Sequence, residues 1–311
     1  MKRGRKEKRR PSRRLKPDRP ARTASRAGAR FQLEGLLGVG GMCEVHAALD
    51  LRRLEWSDAN PRVAVKRLLP DIAGNRQARL ALVQEFFILR HLAHPGVVRA
   101  YDLHTEPWGV CYSMELLDGG SLREAGKALP EGLAREGTRV AAKLFETLSY
   151  LHGQGVVHAD VKPGNIFLAA NNRVVLIDFN ASRVSSLPGS ACSPVSQGLK
   201  AALRIPAYSL LHASPERLDT GLPSREDDVY SACCTVYELM ERRRPFEGKS
   251  AAEARAGGLK PPRIQSLSPS RWEMLKRGLS FDPEKRPSAG ELRGAFAKRG
   301  GFGRLLDALF R

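Results

Sequence analysis

The chain has 311 residues, 42% of them hydrophobic, which is enough apolar side chain for one large domain or two lobes, each with its own core. No apolar run is long enough to span a bilayer, the basic N-terminus lacks the apolar stretch of a secretory signal, and Lys2 stands where N-myristoylation requires glycine, so a cytoplasmic chain is expected. The formal net charge of +19 is unevenly spread: residues 1–30 carry fourteen Lys/Arg against Glu7 and Asp18, or +12.

Those first 30 residues hold Pro, Ser, Gly and Ala between their charges and almost no large apolar side chain, so they read as a disordered basic arm. Such an arm suits contact with a polyanion (nucleic acid or an anionic membrane), nuclear targeting or delivery into a host cell; a solvated arm with no dedicated partner is the alternative. It has no aromatic residue to stack on bases, which argues against sequence-specific single-strand recognition.

Order is expected from Phe31. Residues 31–51 read as strand, Gly-rich turn and strand, and "VAVK" as a short β-branched strand ending at Lys66. "RQARLALVQEFFILRHLAHPG" has helical spacing and stops at Pro-Gly. Two strands flank the turn Glu106-Pro107-Trp108-Gly109. After "DGGSL" the pattern becomes helical: "LAREGTRVAAKLFETLSYLHGQG" is a helix, a strand pair surrounds Asn171–Asn172, residues 181–213 lack periodicity, and helices are predicted within 225–243, 268–280 and 288–299. The polar hairpin "RRLEWSDANPR" is long, and Trp56 in it is expected to pack on the small lobe, with docking of a partner as the alternative. Five cysteines (43, 111, 192, 233 and 234) show neither a C-x-x-C pair nor zinc spacing and read as reduced, mostly buried thiols.

The chemistry concentrates in "VVHADVKPGNIFL", residues 156–168. Transfer of a phosphoryl group asks a protein for a carboxylate to orient the attacking hydroxyl, a cation near the phosphate and oxygen ligands for Mg²⁺. Asp160 supplies the first, Lys162 the second and Asn165 the third; Asp178, closing the apolar run "VVLID", is where a strand would deliver a second metal ligand. Upstream, Gly38 and Gly40 sit between strands, where backbone can approach phosphates. Glu85 lies among apolar residues of a helix and needs a partner, for which Lys66 is the candidate.

In this order the residues resemble a eukaryotic-like Ser/Thr protein kinase over residues 31–298. Gly38, Gly40 and Val45 match the nucleotide loop, Lys66 and Glu85 the strand lysine and its helix partner, Met114 the gatekeeper, and Glu115 to Leu117 the hinge facing adenine. His158, Asp160, Lys162 and Asn165 match the catalytic loop, Asp178-Phe179 the metal-binding motif, "SPE" (214–216) the end of the activation segment, Asp228 the start of the central helix, and Arg286 the partner of Glu216. The resemblance implies an α+β, two-lobed fold with a strand-rich small lobe (about 31–117) and a mostly helical large lobe (about 118–298); beyond it, the apolar stretch "GRLLDALF" reads as a short C-terminal helix within 299–311. The resemblance also implies ATP and Mg²⁺ (or Mn²⁺) as cofactors, a protein as substrate, and Ala64 and Phe167 among the nucleotide-binding residues. Small-molecule and atypical kinases share part of the loop, but Lys162 and the "SPE…DVYS…RP" set favour a protein substrate.

Four positions depart from the pattern. Cys43 replaces the third loop glycine and is expected to crowd the phosphates. Asn180 replaces the glycine after Phe179, where its tolerance of unusual backbone angles would help. Ala159 replaces the arginine between His158 and Asp160, giving a non-RD site whose activity should not depend on clamping an activation-segment phosphate, although Ser185, Ser186, Ser190, Ser193, Ser196 and Ser209 are available to modify. Ile205 in "RIPAY" replaces a threonine whose hydroxyl contacts the catalytic aspartate. These departures motivate a pseudokinase or scaffold as the second reading; the intact Lys66, Glu85, Asp160, Asn165 and Asp178 argue against it.

Overall fold

The computed structural model describes residues 29–128, 134–184 and 211–297. Residues 1–28 of the arm, the C-terminal segment and the six serines of the activation segment, with Ile205 and Cys192, therefore lie outside the described residues. The small lobe is an antiparallel sheet of β1 (Phe31–Val39), β2 (Cys43–Asp50), β3 (Arg62–Leu68), β4 (Ala100–Glu106) and β5 (Gly109–Met114), in the order β1-β2-β3-β5-β4. Helix α2 (Arg76–His91) interrupts it between β3 and β4, capped by the Asn75 side chain, which accepts from Gln77 and Ala78 N–H.

A second short helix, α1 (Leu51–Glu55), fills the long β2–β3 connection. Asp50 caps it, accepting from Arg52 and Arg53 N–H, and also holds the Arg30 guanidinium at 2.9 and 2.6 Å. Burial works to raise the Asp50 carboxyl, but the Arg30 hydrogen bond and charge, with the Arg53 and Arg52 N–H groups, together outweigh it and hold the group below the usual carboxylate range. Arg30, read as part of the arm, is thus tied to the small lobe. Trp56 does not pack on that lobe as expected: it ends α1 and is 73% exposed.

The large lobe contains β6 (Gly119–Ser121), α3 (Leu122–Ala128), α4 (Ala134–Gly153), β7 (Val156–Val157), β8 (Ile166–Ala169), β9 (Val174–Leu176), β10 (Arg183–Val184), α5 (Pro215–Thr220), α6 (Arg225–Glu241), α7 (Ala251–Ala256), α8 (Pro269–Gly278) and α9 (Ala289–Ala297). β6, β8 and β9 form one small sheet, and β7 and β10 another. One hydrophobic cluster runs through both lobes, from Met42, Leu82 and Tyr112 to Leu148, Leu176, Tyr237 and Phe296. A smaller one, with Phe31, Val63, Val65 and Cys111, covers the outer face of the small-lobe sheet. Arginines finish that face: Arg53 lies over Tyr101 at 4.5 Å and Arg67 over Trp108 at 4.9 Å.

The lobes are stitched where the chain leaves α2. Val97 bridges Leu176, and Leu176 N–H donates to Gly96 C=O at 2.8 Å. Gly96 is required by close approach, because a Cβ there would stand 1.9 Å from the Thr147 hydroxyl on α4. Cys43, Cys111, Cys233 and Cys234 are buried free thiols, as read. Cys233 fits against Gly278, where a Cβ would meet its sulfur at 2.3 Å, so α6 and α8 pack closely only with no side chain at 278.

Candidate active site

Strand register builds the upper wall. Val45 pairs with Lys66, Ala64 with Met114 and Lys66 with Tyr112. Facing and alternate residues of an antiparallel sheet share a side, so Cys43, Val45, Ala64, Lys66, Tyr112 and Met114 lie on the inner face. Gly38 pairs with Val45, and nothing lies within 4 Å of where its Cβ would be. At Gly40 a Cβ would meet the Cys43 carbonyl at 3.5 Å. Neither glycine has a positive φ, so the fold itself does not demand them; they leave the space beside the turn open. Cys43 is buried on the Lys66 face and does not crowd the space at Gly38.

Lys66 is the hub. Its Nζ donates to Glu85 Oε1 at 2.6 Å and to Asp178 Oδ1 at 2.9 Å. Burial favours the neutral amine, yet Asp178 and then Glu85 outweigh it and hold Lys66 well above the ordinary lysine range. Burial raises Glu85 despite the cation, since Glu85 shares that one ammonium with Asp178. Glu85 Oε1 also accepts from Phe179 N–H at 3.0 Å, which ties α2 to the strand-end motif.

Asp228, at the start of α6, fixes the catalytic loop from below. Its carboxylate accepts from His158 N–H at 2.8 Å and Ala159 N–H at 2.7 Å and faces His152 Nε2 at 3.0 Å. This holds Ala159 at φ +67, a left-handed conformation a non-glycine residue adopts only when its surroundings enforce it. Asp160 N–H donates to His158 Nδ1 at 3.3 Å, so the ring proton sits on Nε2 and points to Ile177 C=O at 3.3 Å. The His158 ring meets Phe179 edge-on at 4.7 Å.

Lys162 Nζ and Asn165 Nδ2 both donate to Asp160 Oδ2, at 2.6 and 2.9 Å. Asn165 Nδ2 also donates to the Asp160 carbonyl at 2.9 Å, which orients its carboxamide oxygen away from Asp160. Asp178 Oδ1 accepts from Asn180 Nδ2 at 3.0 Å as well as from Lys66. The unusual backbone angle falls on Asp178, at φ +63, and not on Asn180. Phe167 on β8 and Leu117 after β5 pack against the main cluster. The Glu115 side chain binds Arg173 at 2.8 and 3.1 Å and the Arg99 N–H at 2.9 Å, and the Glu115 N–H donates to Arg99 C=O at 2.9 Å. Glu216 pairs with Arg286 at 2.5 and 2.9 Å; burial pushes its carboxyl up, but Arg286 and Ser214 together outweigh this and hold it below the usual range.

Sequence reasoning missed the Asn180 side-chain bond, the Arg173 clasp on the hinge and Asp227, which accepts from Ser214 Oγ at 2.8 Å. For Asp227 a signal existed: two adjacent carboxylates opening an apolar helix cannot both face water.

Residues 31–295 match the protein kinase domain family. Among similar proteins, the serine/threonine-protein kinase PknB of Mycobacterium tuberculosis (strain ATCC 25177 / H37Ra) is 30% identical over 282 residues, 87% of this chain and 43% of that protein. Serine/threonine-protein kinase PkaA of Streptomyces coelicolor is 31% identical over 85% of this chain and 49% of its own length. A probable serine/threonine-protein kinase PknB of Bifidobacterium longum is 32% identical over 72% of this chain and 32% of its own. The chain thus spans less than half the length of these curated relatives. Since the match runs from the first strand of the small lobe to the last described helix of the large one, the chain belongs to the protein kinase domain family, in its eukaryotic-like Ser/Thr branch.

Proposed function

We propose that the protein transfers the γ-phosphate of ATP to serine or threonine hydroxyls of protein substrates. One observation carries this reading: Lys66, Glu85 and Asp178 are joined in a single bonded cluster, and Asp160, Lys162 and Asn165 in another, held by the same strand-end motif and loop. The names of the relatives support it.

Gly38, Gly40, Val45, Ala64, Met114, the hinge from Glu115 to Leu117 and Phe167 would enclose the nucleotide, and Lys66, fixed by Glu85, would hold its α/β-phosphates. Asp160 would orient the attacking hydroxyl and accept its proton, with Lys162 offsetting charge on the transferring phosphate. Asn165 and Asp178 would hold Mg²⁺, or Mn²⁺ in its place. Their hard oxygens suit such an ion, which characteristically takes one or two protein ligands and completes its shell from phosphates and water. Mg²⁺ bound there supplies positive charge against the phosphate oxygens. Ala159 has no charge with which to hold a phosphate, so transfer should not require one on the activation segment.

The domain would be residues 31–298 preceded by a basic arm. No helix among the described residues is long and apolar enough to cross a membrane. The test is phosphate transfer from ATP and Mg²⁺ to the protein itself and to a generic basic protein, with and without prior phosphatase treatment. Transfer is expected from the wild type after either treatment and is lost, by about a thousandfold or more, in Asp160→Ala. Nucleotide binding without transfer in both proteins would instead indicate a scaffold.

A further inference from the structure

Arg123 is the second residue of α3 and is exposed. Among the described residues its guanidinium forms no ion pair or hydrogen bond. The neighbouring Glu124 is turned the other way in the helix cap, accepting from Ser121 N–H at 2.8 Å and Ser121 Oγ at 2.9 Å. A charged side chain of that length, free to wander, would normally dissolve into solvent. This one lies on the catalytic loop: a Cβ built on Gly164 would stand 3.4 Å from Nη2, 3.5 Å from Cζ and 3.5 Å from Nε of Arg123. Three atoms of one plane at nearly equal distance mean that the guanidinium lies flat over Gly164. Its N–H groups lie in that plane, so they point past the loop, not into it.

Gly164 belongs to the 3-10 turn Pro163–Asn165, next to Asn165 and two residues after Lys162, the two side chains that grip Asp160. Four residues separate Gly164 from Asp160, a span of at most about 14 Å. A substrate whose hydroxyl reaches Asp160 in extended form, at about 3.3 Å per residue, would bring a flanking side chain over Gly164 roughly two to four positions from the acceptor.

We propose that Arg123, laid on Gly164, is a specificity-determining residue that recognises a carboxylate or phosphorylated side chain of the protein substrate roughly two to four positions from the phosphorylated hydroxyl. The inference rests on the phosphotransfer reading for the acceptor's position, but not on turnover. The guanidinium fork suits a planar carboxylate or a phosphate through two parallel hydrogen bonds, and an ammonium in its place would offer a charge without that geometry. Gly164 matters because a longer side chain there would displace the guanidinium or, if acidic, neutralise it.

The test uses the full chain and serine peptides carrying one Glu, Lys or phosphoserine at each position up to four residues either side, in an otherwise neutral background. Wild type, Arg123→Glu, Arg123→Lys and Arg263→Glu are compared. Arg263 is exposed on the large lobe, and its substitution changes net charge as much as Arg123→Glu does, so general attraction between acidic peptides and the basic arm is common to both. Wild type is expected to prefer Glu or phosphoserine at one or two of these positions. Arg123→Glu should lower kcat/KM for those peptides about tenfold, through KM and not kcat, and favour Lys there, with Arg123→Lys intermediate and Arg263→Glu unchanged. Binding of the same peptides with alanine in place of the acceptor serine, followed by fluorescence anisotropy, gives a readout that needs no transfer. Discrimination in binding without any phosphorylation would sink the phosphotransfer reading and keep the Arg123 site. Equal rates and equal binding for Glu and Lys peptides, or the same response to Arg263→Glu, would overturn the inference while leaving phosphotransfer intact.

Discussion

Asn180 and Lys66 donate to the same oxygen of Asp178, so the carboxylate is held by one edge while its backbone sits in a left-handed conformation. In the proposed function Asp178 would hold Mg²⁺ together with Asn165. Replacing Asn180 by Gly removes one neutral-to-charged hydrogen bond, about 1–2 kcal/mol of positioning. The expected outcome is a rise of about fivefold or more in the Mg²⁺ concentration giving half-maximal transfer, with thermal stability nearly unchanged; an unaltered Mg²⁺ dependence would show that Asn180 merely fills the glycine's place. Residues of this class divide cleanly by legibility. Lys66 and Glu85 stand out in the sequence because a charge in an apolar strand or on the inner side of a helix must be answered by another. Asn180 stands out only as a departure from the kinase pattern, and Arg123 and Arg173 not at all, because a polar residue carries no mark of its partner until the fold shows what it touches. The Trp56 expectation failed for a related reason: an aromatic in a long hairpin has no sequence mark that says whether the hairpin folds back, and here α1 turns it outward.

Elements with many apolar turns, α2, α4, α6, α8 and α9, were readable from periodicity, and β1 to β5 from strand and turn chemistry. The helices missed were short: α1, α3, α5 and α7 have five to seven residues, too few for a period to repeat. Two of them carried another mark, since Ser121 with Glu124 and Ser250 with Glu253 are capping pairs of the S-x-x-E type. At the start of α6 the same local chemistry has a thermodynamic consequence. Burial, and then the adjacent Asp228, push the Asp227 carboxyl up to about 7, from 3.8 in an unfolded chain. A folded-state pKa above the unfolded one means that the native protein holds the proton more tightly between those values. The stabilisation from this group is complete below about pH 4 and is lost as pH rises through about 7. Asp227→Asn keeps an acceptor for Ser214 and removes the titration. Relative to wild type its stability should therefore increase between pH 4 and 7, by up to about 4 kcal/mol, and level off above, read from denaturant unfolding at each pH. A difference that stays constant across this range would mean that Asp227 is ionised throughout, paired with Arg217 at 3.9 Å.

Taken whole, the molecule joins a domain whose two lobes share a core to an arm with most of the charge. The join is sharper than the sequence suggests. Arg30 N–H donates to the Glu106 carboxylate at 3.1 and 3.3 Å while its guanidinium grips the buried Asp50, so the arm proper stops before Ala29. Cutting after residue 30 would take from Asp50 the closer of its two cations, leaving Arg53 at 3.6 Å, and cost about 1–3 kcal/mol of domain stability, confusing a loss of binding with a loss of fold. Cutting after residue 28 avoids this and still removes thirteen of the Lys/Arg side chains with Glu7 and Asp18, a change of eleven charges. If the arm engages polyanions, it does so by releasing counterions, and the affinity then falls steeply with salt. For duplex DNA or heparin the full chain should lose about a hundredfold or more in affinity between 50 and 200 mM salt, and the truncated chain should bind weakly with a much flatter slope. Peptide phosphorylation should be unchanged by the truncation, because every bonded group of the candidate site lies beyond residue 30. Equal slopes for the two chains would place any polyanion affinity in the domain, whose remaining positive charge would then have to be mapped there.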